Sequence, residues 1–331
     1  MASSSAVRIH RNGGPEELRF ETIEVDGPGP EEALIRHTAI GLNFTDIHHR
    51  TGRYPGPGMP LVLGMEGVGV VEQVGSRVEG LDAGTRVAYA GASPSLQPGA
   101  YCQLRLMNPS RLVPVPDWID DVTAAAVILK GLTAHYLLFG AYAVRQGEHV
   151  LVHAAAGGVG LLMCQWARHL GATVIGVVSS DEKAALAREH GCQHPIVSTR
   201  EDVTARVREI TAGRGVDVVY DSVGASTFES SLSSVRRRGT VVSFGSSSGP
   251  VPPLDLFRLN RLGSLHVTSA GLADYIAERD ELLQRAAAVF EAVGRGVLTV
   301  RINQRYPLAE AARAHRDLES RRTAGSSVLL P

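Results

Sequence analysis

The stretch Ala154-Ala155-Ala156-Gly157-Gly158-Val159-Gly160 lies between a β-branched run, Val150-Leu151-Val152, and a helix-forming segment from Leu161 to Leu170. A strand that passes through a glycine-rich turn into a helix is the arrangement that cradles a dinucleotide pyrophosphate. Gly157 lets the backbone approach the phosphates, Gly160 lets the helix pack closely on the sheet, and the helix N-terminus offers unpaired N–H groups to negative charge. Ala156, Gly158 and Val159 complete the turn, and Ala155 stands where the common fingerprint has its first glycine.

The next strand, Thr173 to Val178, bears on which dinucleotide is bound. It runs into Ser179-Ser180-Asp181-Glu182-Lys183, where NAD-binding folds place an acidic residue for the ribose hydroxyls. Hydroxyls followed by a lysine suit a 2′-phosphate and so favour NADPH. A second reading of the same residues makes the serines a helix cap and Lys183 a solvated residue, and leaves Asp181 or Glu182 for the ribose. Basic residues are almost all arginine, and Lys130 and Lys183 are the only lysines. Both positions therefore invite a chemical explanation.

Strand candidates recur near 150, 174, 195, 218, 241 and 265 with helical segments between them, the pattern of a parallel sheet with crossover helices. Two of these strands run into small polar loops, Ser222-Val223-Gly224 and Phe244-Gly245-Ser246. Ligands of open α/β sheets bind outside the carboxyl ends of the strands, which predicts Ser222 near the ribose and Phe244 and Ser246 beside the nicotinamide. Upstream, the first third is dense in Gly, Pro and short runs such as Ala33 to His37, Gly67 to Val71 and Arg86 to Tyr89, which predicts an irregular antiparallel barrel or sandwich. Beyond Thr268, an amphipathic helix (280–293), a short strand (299–302) and a second helix (309–319) suggest a return to that first domain.

A chain of 331 residues exceeds the size at which single cores stop growing, so two domains are expected. A formal net charge of −1 carries no footprint for nucleic acid or an anionic membrane. No apolar run approaches the roughly 18 residues of a spanning helix and the N-terminus lacks a signal-peptide core, so a cytoplasmic enzyme is expected. Cys102, Cys164 and Cys192 are isolated along the chain, with no disulfide framework or four-thiolate zinc site indicated, and Cys164 reads as core packing. His48-His49 is the one adjacent histidine pair; on an extended strand its two rings would face opposite ways and share no metal.

Taken together, Gly41-Leu42-Asn43-Phe44-Thr45-Asp46, Leu129-Lys130-Gly131-Leu132-Thr133, the segment His153 to Gly160, Tyr220 to Gly224, Val242 to Gly245 and Leu318-Glu319-Ser320-Arg321 resemble the NADPH:quinone oxidoreductase (zeta-crystallin-like) family. This family lies in the zinc-independent branch of the medium-chain dehydrogenase/reductase superfamily, and the resemblance runs over essentially the whole chain. It implies an α/β protein with a GroES-like β-barrel catalytic domain (1–127), a Rossmann doubly wound parallel sheet that binds NADPH (128–267) and a return to the catalytic domain (268–331). It further implies an active site in the cleft between the domains and a homodimer formed through the edge of the Rossmann sheet. Zinc-dependent relatives carry a cysteine where this chain has Asn43, and Gly-His-Glu where it has Gly64-Met65-Glu66, so no metal is expected.

Carried over residue by residue, the resemblance places the 2′-phosphate clamp on Lys183 and Arg321, with Ser198 replacing a tyrosine, and the nicotinamide against Thr133 and the Phe244 loop. Asn43 and Tyr54 match pocket residues, and His48 replaces another tyrosine. Asn43 would donate to the acceptor oxygen as negative charge develops, while Tyr54 or His48 would orient substrate or relay a proton. The plainer readings are that Asn43 fixes its own turn, Tyr54 packs a rigid loop and His48 packs or is solvated. In enoyl-reducing relatives a lysine in this region is a candidate proton donor, so Lys130 supports a second activity, reduction of an enone or enoyl double bond; its plainer reading is an ion pair with Asp46. A non-enzymatic role as an RNA-binding or crystallin-like protein would need basic surface, and Arg236-Arg237-Arg238 and Arg321-Arg322 are the only basic clusters. The first of these reads as a solvated helix end.

Overall fold

The computed structural model describes residues 1–91, 98–320 and 323–331. They divide into two compact units, one made of Met1–Leu132, Leu272–Gly294 and Val300–Pro331, the other of Thr133–Gly271 with Arg295–Thr299.

The first unit opens with β1 (Ala2–Ile9), β2 (Arg19–Val25) and β3 (Ala33–Leu42), followed by helix α1 (Phe44–Arg50). Five short strands come next: β4 (Leu61–Val62), β5 (Glu66–Val74), β6 (Arg86–Ala90), β7 (Leu104–Met107) and β8 (Val113–Pro114). Helix α2 (Asp121–Tyr136) carries the chain into the second unit, which holds β9 (His149–Val152), α3 (Gly158–His169), β10 (Thr173–Val178), α4 (Asp181–Glu189), β11 (His194–Val197), α5 (Val203–Ile210) and β12 (Val216–Asp221). It continues with α6 (Phe228–Ser234), β13 (Val235–Ser243), α7 (Leu256–Arg261) and β14 (His266–Ser269). The chain then returns to the first unit through α8 (Leu272–Tyr275), α9 (Arg279–Gly294), β15 (Ile302–Pro307), α10 (Ala311–Glu319) and β16 (Ser326–Leu330).

In the first unit β2-β1-β4 form a small sheet, and a larger one runs β15-β16-β3-β5-β6-β8, with β7 also paired to β3. Alternating inward residues such as Ile35, Ile40, Val87 and Tyr89 build its core together with Tyr306 and Leu329 from the returning segment. The second unit is a six-stranded sheet in the order β11-β10-β9-β12-β13-β14, every pair parallel. Counted from β9, this is the 3-2-1-4-5-6 order of a dinucleotide-binding sheet. Because a parallel sheet is covered on both faces its central strands carry apolar runs, and Val150, Leu151, Val152, Val218 and Val219 have no exposed surface. Asp217 and Asp221 are the buried acidic residues of β12, and Asp217 lies at its start. Burial pushes the Asp217 carboxyl up, but hydrogen bonds from Arg214, Arg236 and the His149 amide outweigh that and hold it at about 2.

Several expectations need correction. The strand expected at 299–302 runs from Ile302 to Pro307. Arg236, Arg237 and Arg238 lie within β13 and not at a helix end, with Arg236 ion-paired to Asp217. Cys164 is buried, as a core-packing residue would be, and Cys192 is buried too, its thiol donating to Val174 O. The helical segment 121–141, α2 with one further wide turn, is long and apolar enough to span a membrane by length and composition, but 72% of its most apolar window is buried within the protein.

Candidate functional site

In the second unit the glycine turn leaves the carboxyl end of β9. The His153 amide donates to Tyr220 O on β12, and the Ala155 amide donates to Val177 O on β10, so the chain is gripped from both neighbouring strands as it turns. Ala154 is held at φ 51°, in the left-handed region that a residue with a Cβ occupies at a cost of about 1–2 kcal/mol. Helix α3 then starts with Gly157 as its N-cap and no side-chain cap. Its first amides lack partners within the helix and a Cβ at Gly160 would overlap the Ala154 carbonyl oxygen, so the turn is a backbone cradle that an anion fits.

Behind this turn sits a buried network. Asp221 closes β12 and accepts from the Val223 and Gly224 amides (2.8 and 3.0 Å), from Thr227 Oγ1 and from Ser231 Oγ at 2.7 Å. Because Ser231 gives its proton to Asp221, His153 donates to Ser231 from Nε2 at 3.0 Å, which leaves His153 Nδ1 buried with no partner. The loops carrying Ser222 and Phe244 lock together: Phe244 N donates to Asp221 O, and Ser247 N to Ser222 O. Ser222, Phe244 and Ser246 are half-buried at the carboxyl ends of β12 and β13, and Thr133 is buried within α2.

At the end of β10, Ser180 caps α4 by accepting from the Lys183 amide, while Ser179 is exposed beside it. Asp181, offered above as a ribose ligand, is taken up by Arg200 through two 2.6 Å hydrogen bonds. Ser198 follows β11 and donates its hydroxyl to Val178 O at 3.1 Å, which places it beside Ser179. Arg321 lies outside the described residues.

In the first unit, register brings Gly41 of β3 opposite Glu66 of β5. A Cβ at Gly41 would overlap the Glu66 carboxylate, so the glycine makes room for it. Glu66 has no exposed surface. Its Oε1 accepts from Asn43 Nδ2 at 2.8 Å and from Lys130 Nζ at 2.7 Å, and its Oε2 accepts from the Leu129 amide at 2.8 Å. The ion pair foreseen between Lys130 and Asp46 is thus made with Glu66 instead. Asn43 is also the N-cap of α1, and its backbone amide donates to Asp46 Oδ2 at 2.8 Å.

Asp46 Oδ2 also accepts from Tyr101 OH at 3.0 Å, while its Oδ1 is buried without a partner. Burial, joined by the charge of Glu66 and opposed by the donors Asn43 and Tyr101, raises the Asp46 carboxyl to about 7. Tyr101 accepts in turn from His315 Nε2 at 3.0 Å, and His315 Nδ1 accepts from Arg50 Nη1 at 3.0 Å. Arg50, almost wholly buried, is gripped by Glu319.

His48 and His49 fall on α1 and not on a strand, so their rings diverge by about a third of a turn. Both meet the ring of Tyr54 edge-on, at 4.9 and 5.8 Å. Burial first, then Arg53 and His49, lowers His48 to about 4, so its ring is neutral at pH 7. Tyr54 itself is 36% exposed. Among the described residues no group of three or more His, Cys, Asp or Glu side chains is arranged to hold a metal.

The residues missed from sequence are Glu66, Tyr101, His315, Arg50 and the pair Asp221 and Ser231. One signal was present: Asn43-x-x-Asp46 is a helix-start pattern in which the second residue reaches back to the first. The remainder join distant strands and helices and have no local signature.

Residues 29–117 match the alcohol dehydrogenase GroES-like domain family, and residues 158–288 match the family described as zinc-binding dehydrogenase. The chain is 51% identical over 319 residues to a quinone oxidoreductase of Pseudomonas aeruginosa, covering 96% of this chain and 97% of that protein. It is 45% identical over 333 residues to a 2-haloacrylate reductase of a Burkholderia species, covering 98% of each. Among solved structures, it is similar to Escherichia coli quinone oxidoreductase complexed with NADPH, at 44% identity and a TM-score of 0.95 over the whole of both chains.

Proposed function

This chain belongs to the NADPH:quinone oxidoreductase family of the medium-chain dehydrogenase/reductase superfamily, and on that premise we propose that it transfers reducing equivalents from NADPH to a quinone or similar conjugated carbonyl compound. The observation that carries this reading is the uncapped, backbone-lined turn Ala156 to Gly160 at the head of α3, within a sheet of dinucleotide-binding order. Solved relatives in complex with NADPH point the same way. Gly157, Gly158, Val159 and Gly160 would hold the pyrophosphate; Ser179, Ser198 and Lys183 would hold the 2′-phosphate together with Arg321; Ser222, Phe244, Ser246 and Thr133 would serve the ribose and nicotinamide.

When bound, NADPH supplies the hydride. The protein's part is position and polarity. Asn43, held at its backbone by Asp46 and at its side chain by Glu66, offers one remaining N–H to an acceptor oxygen that gains negative charge. Lys130 is a cation fixed by Glu66 beside that amide, and its ion pair favours a charge-holding role over proton donation. Tyr54 and the neutral ring of His48 line up as orienting groups, packed edge to face. We read the chemistry as independent of zinc, because Asn43 and Met65 occupy positions where zinc-dependent relatives supply a cysteine and a histidine.

Similarity to a 2-haloacrylate reductase favours a second reading, reduction of an activated carbon–carbon double bond. The rate of NADPH oxidation with a para-quinone, set against that with an enone of similar size, tests the assignment. A faster rate with the quinone supports the first reading, and a faster rate with the enone replaces it with the second.

We further place the enzyme in the cytoplasm as a homodimer without nucleic acid or membrane partners. Three unbridged cysteines suit a reducing compartment. The dimer is supported by β14, a half-exposed edge strand, and by Leu256 and Phe257 of α7, which are 77% and 69% exposed.

A further inference from the structure

We infer that Glu66 is a positioning residue of this reaction, which dictates the way the Asn43 amide faces and holds the Lys130 ammonium beside it. The inference rests on the role given to Asn43 above.

The two ends of an asparagine amide have nearly the same shape and opposite polarity, so packing alone does not choose between them. Glu66 does choose. Its carboxylate receives N–H groups from Asn43, Lys130 and Leu129 and is therefore an acceptor only. Turning the amide over would set Asn43 Oδ1 against a carboxylate with no exposed surface, where no water screens the repulsion. Since the Asn43 backbone amide is already tied to Asp46, the side-chain torsions are the freedom that remains, and Glu66 removes it. What stays available to a ligand is the second side-chain N–H in a single orientation, because the Asn43 side-chain oxygen faces the Asp46 amide at the head of α1.

Lys130 and Asn43 converge on the same oxygen, Glu66 Oε1, so one atom sets the spacing of a cation and an amide donor. The seat for that atom is built from the backbone. Gly41 clears the space opposite, and the Leu129 amide anchors the second oxygen. Packing does not call for such a seat, because a buried ion pair gains little or nothing in stability over apolar side chains of the same volume. A charged pair maintained there at that cost fits a task in orientation.

The test is a double-mutant cycle on the full chain with NADPH and para-benzoquinone, using Asn43→Ala, Glu66→Gln and the two combined. Glu66→Gln alone is expected to lower kcat about tenfold, the equivalent of about 1.4 kcal/mol, with KM for NADPH unchanged. In the Asn43→Ala background the same substitution is expected to change kcat less than about twofold. Parental kcat for Glu66→Gln, or an equal loss in both backgrounds, overturns the inference while leaving the role of Asn43 standing. Full activity of Asn43→Ala alone overturns both. Should Glu66→Gln not fold, Glu66→Asp, which withdraws the carboxylate from Asn43 but keeps the charge for Lys130, takes its place in the same cycle; its loss is again expected only where Asn43 is kept, and an equal loss in both backgrounds overturns the inference.

Discussion

The Tyr101 hydroxyl stands 3.0 Å from His315 Nε2, joining residues 214 positions apart. Arg50 fixes the direction of that bond: by donating to His315 Nδ1 it leaves the ring's proton on Nε2, so Arg50, His315 and Tyr101 each donate to the next member and the last donates to Asp46.

Two members of this series, Asp46 and His315, oppose one another in their pH dependence. Asp46, at about 7 when folded against an ordinary 3.8, holds a proton in the folded chain that the unfolded chain has lost, so it takes stability away as pH rises from about 4 to 7. His315, lowered to about 3 by burial and by Arg50, stays neutral where the unfolded ring is protonated, so it adds stability between about 3 and 6.5. Asp46→Asn removes the first slope and leaves the second. Urea midpoints measured from pH 4.5 to 7.5 should rise more steeply with pH in the variant than in the parent, by of order a few kcal/mol across the interval; parallel curves would show that Asp46 does not titrate there.

Gly160→Ala drives a methyl group into the Ala154 carbonyl at the phosphate turn. A loss of about 1–3 kcal/mol in stability is expected, with NADPH affinity reduced at least about tenfold. Thermal melts and fluorescence titration with NADPH read the two effects, and unchanged affinity would remove the turn from the cofactor site.

Lys183→Ala tests the cofactor preference. Loss of one point charge from the 2′-phosphate is expected to raise KM for NADPH by about tenfold and to leave KM for NADH as it was. An equal rise for both cofactors would mean that Lys183 supports the fold of α4 and does not read the phosphate.

Leu256→Asp with Phe257→Asp places two charges on the exposed face of α7. Sedimentation velocity is expected to show dimer in the parent and monomer in the double variant, with the melting temperature of the second unit little altered because both side chains are already outside its core. A dimer that survives would move the interface elsewhere.

Much of the second unit was legible from periodicity alone. Buried parallel strands are continuous apolar runs, and each of the six expected strands has a counterpart between His149 and Ser269. The turn at Gly157 was legible because tight backbone approach leaves a residue-level mark. The Asn43 site was half legible: the asparagine could be named, but the partner of Lys130 could not. Glu66 is 64 residues from Lys130, and the choice between Glu66 and Asp46 depends on β-strand register, which no local pattern records. The histidine pair was misread for a related reason. Seven residues of helix between two β-rich stretches carry too little periodicity to override the surrounding strand signal.

The returning segment has a bearing on how the protein is made. β16 lies between β15 and β3 in the larger sheet, so a sheet begun at Ala33 lacks an internal strand until Ser326–Leu330 is available. Every strand of the second unit's sheet lies between His149 and Ser269 and can pair before that. Synthesis therefore lets the inserted, nucleotide-binding part form first. Meanwhile the end of β3 at Ile40 to Leu42, which β16 will cover, waits with an open edge, the interval in which a newly made chain is most exposed to pairing with its neighbours.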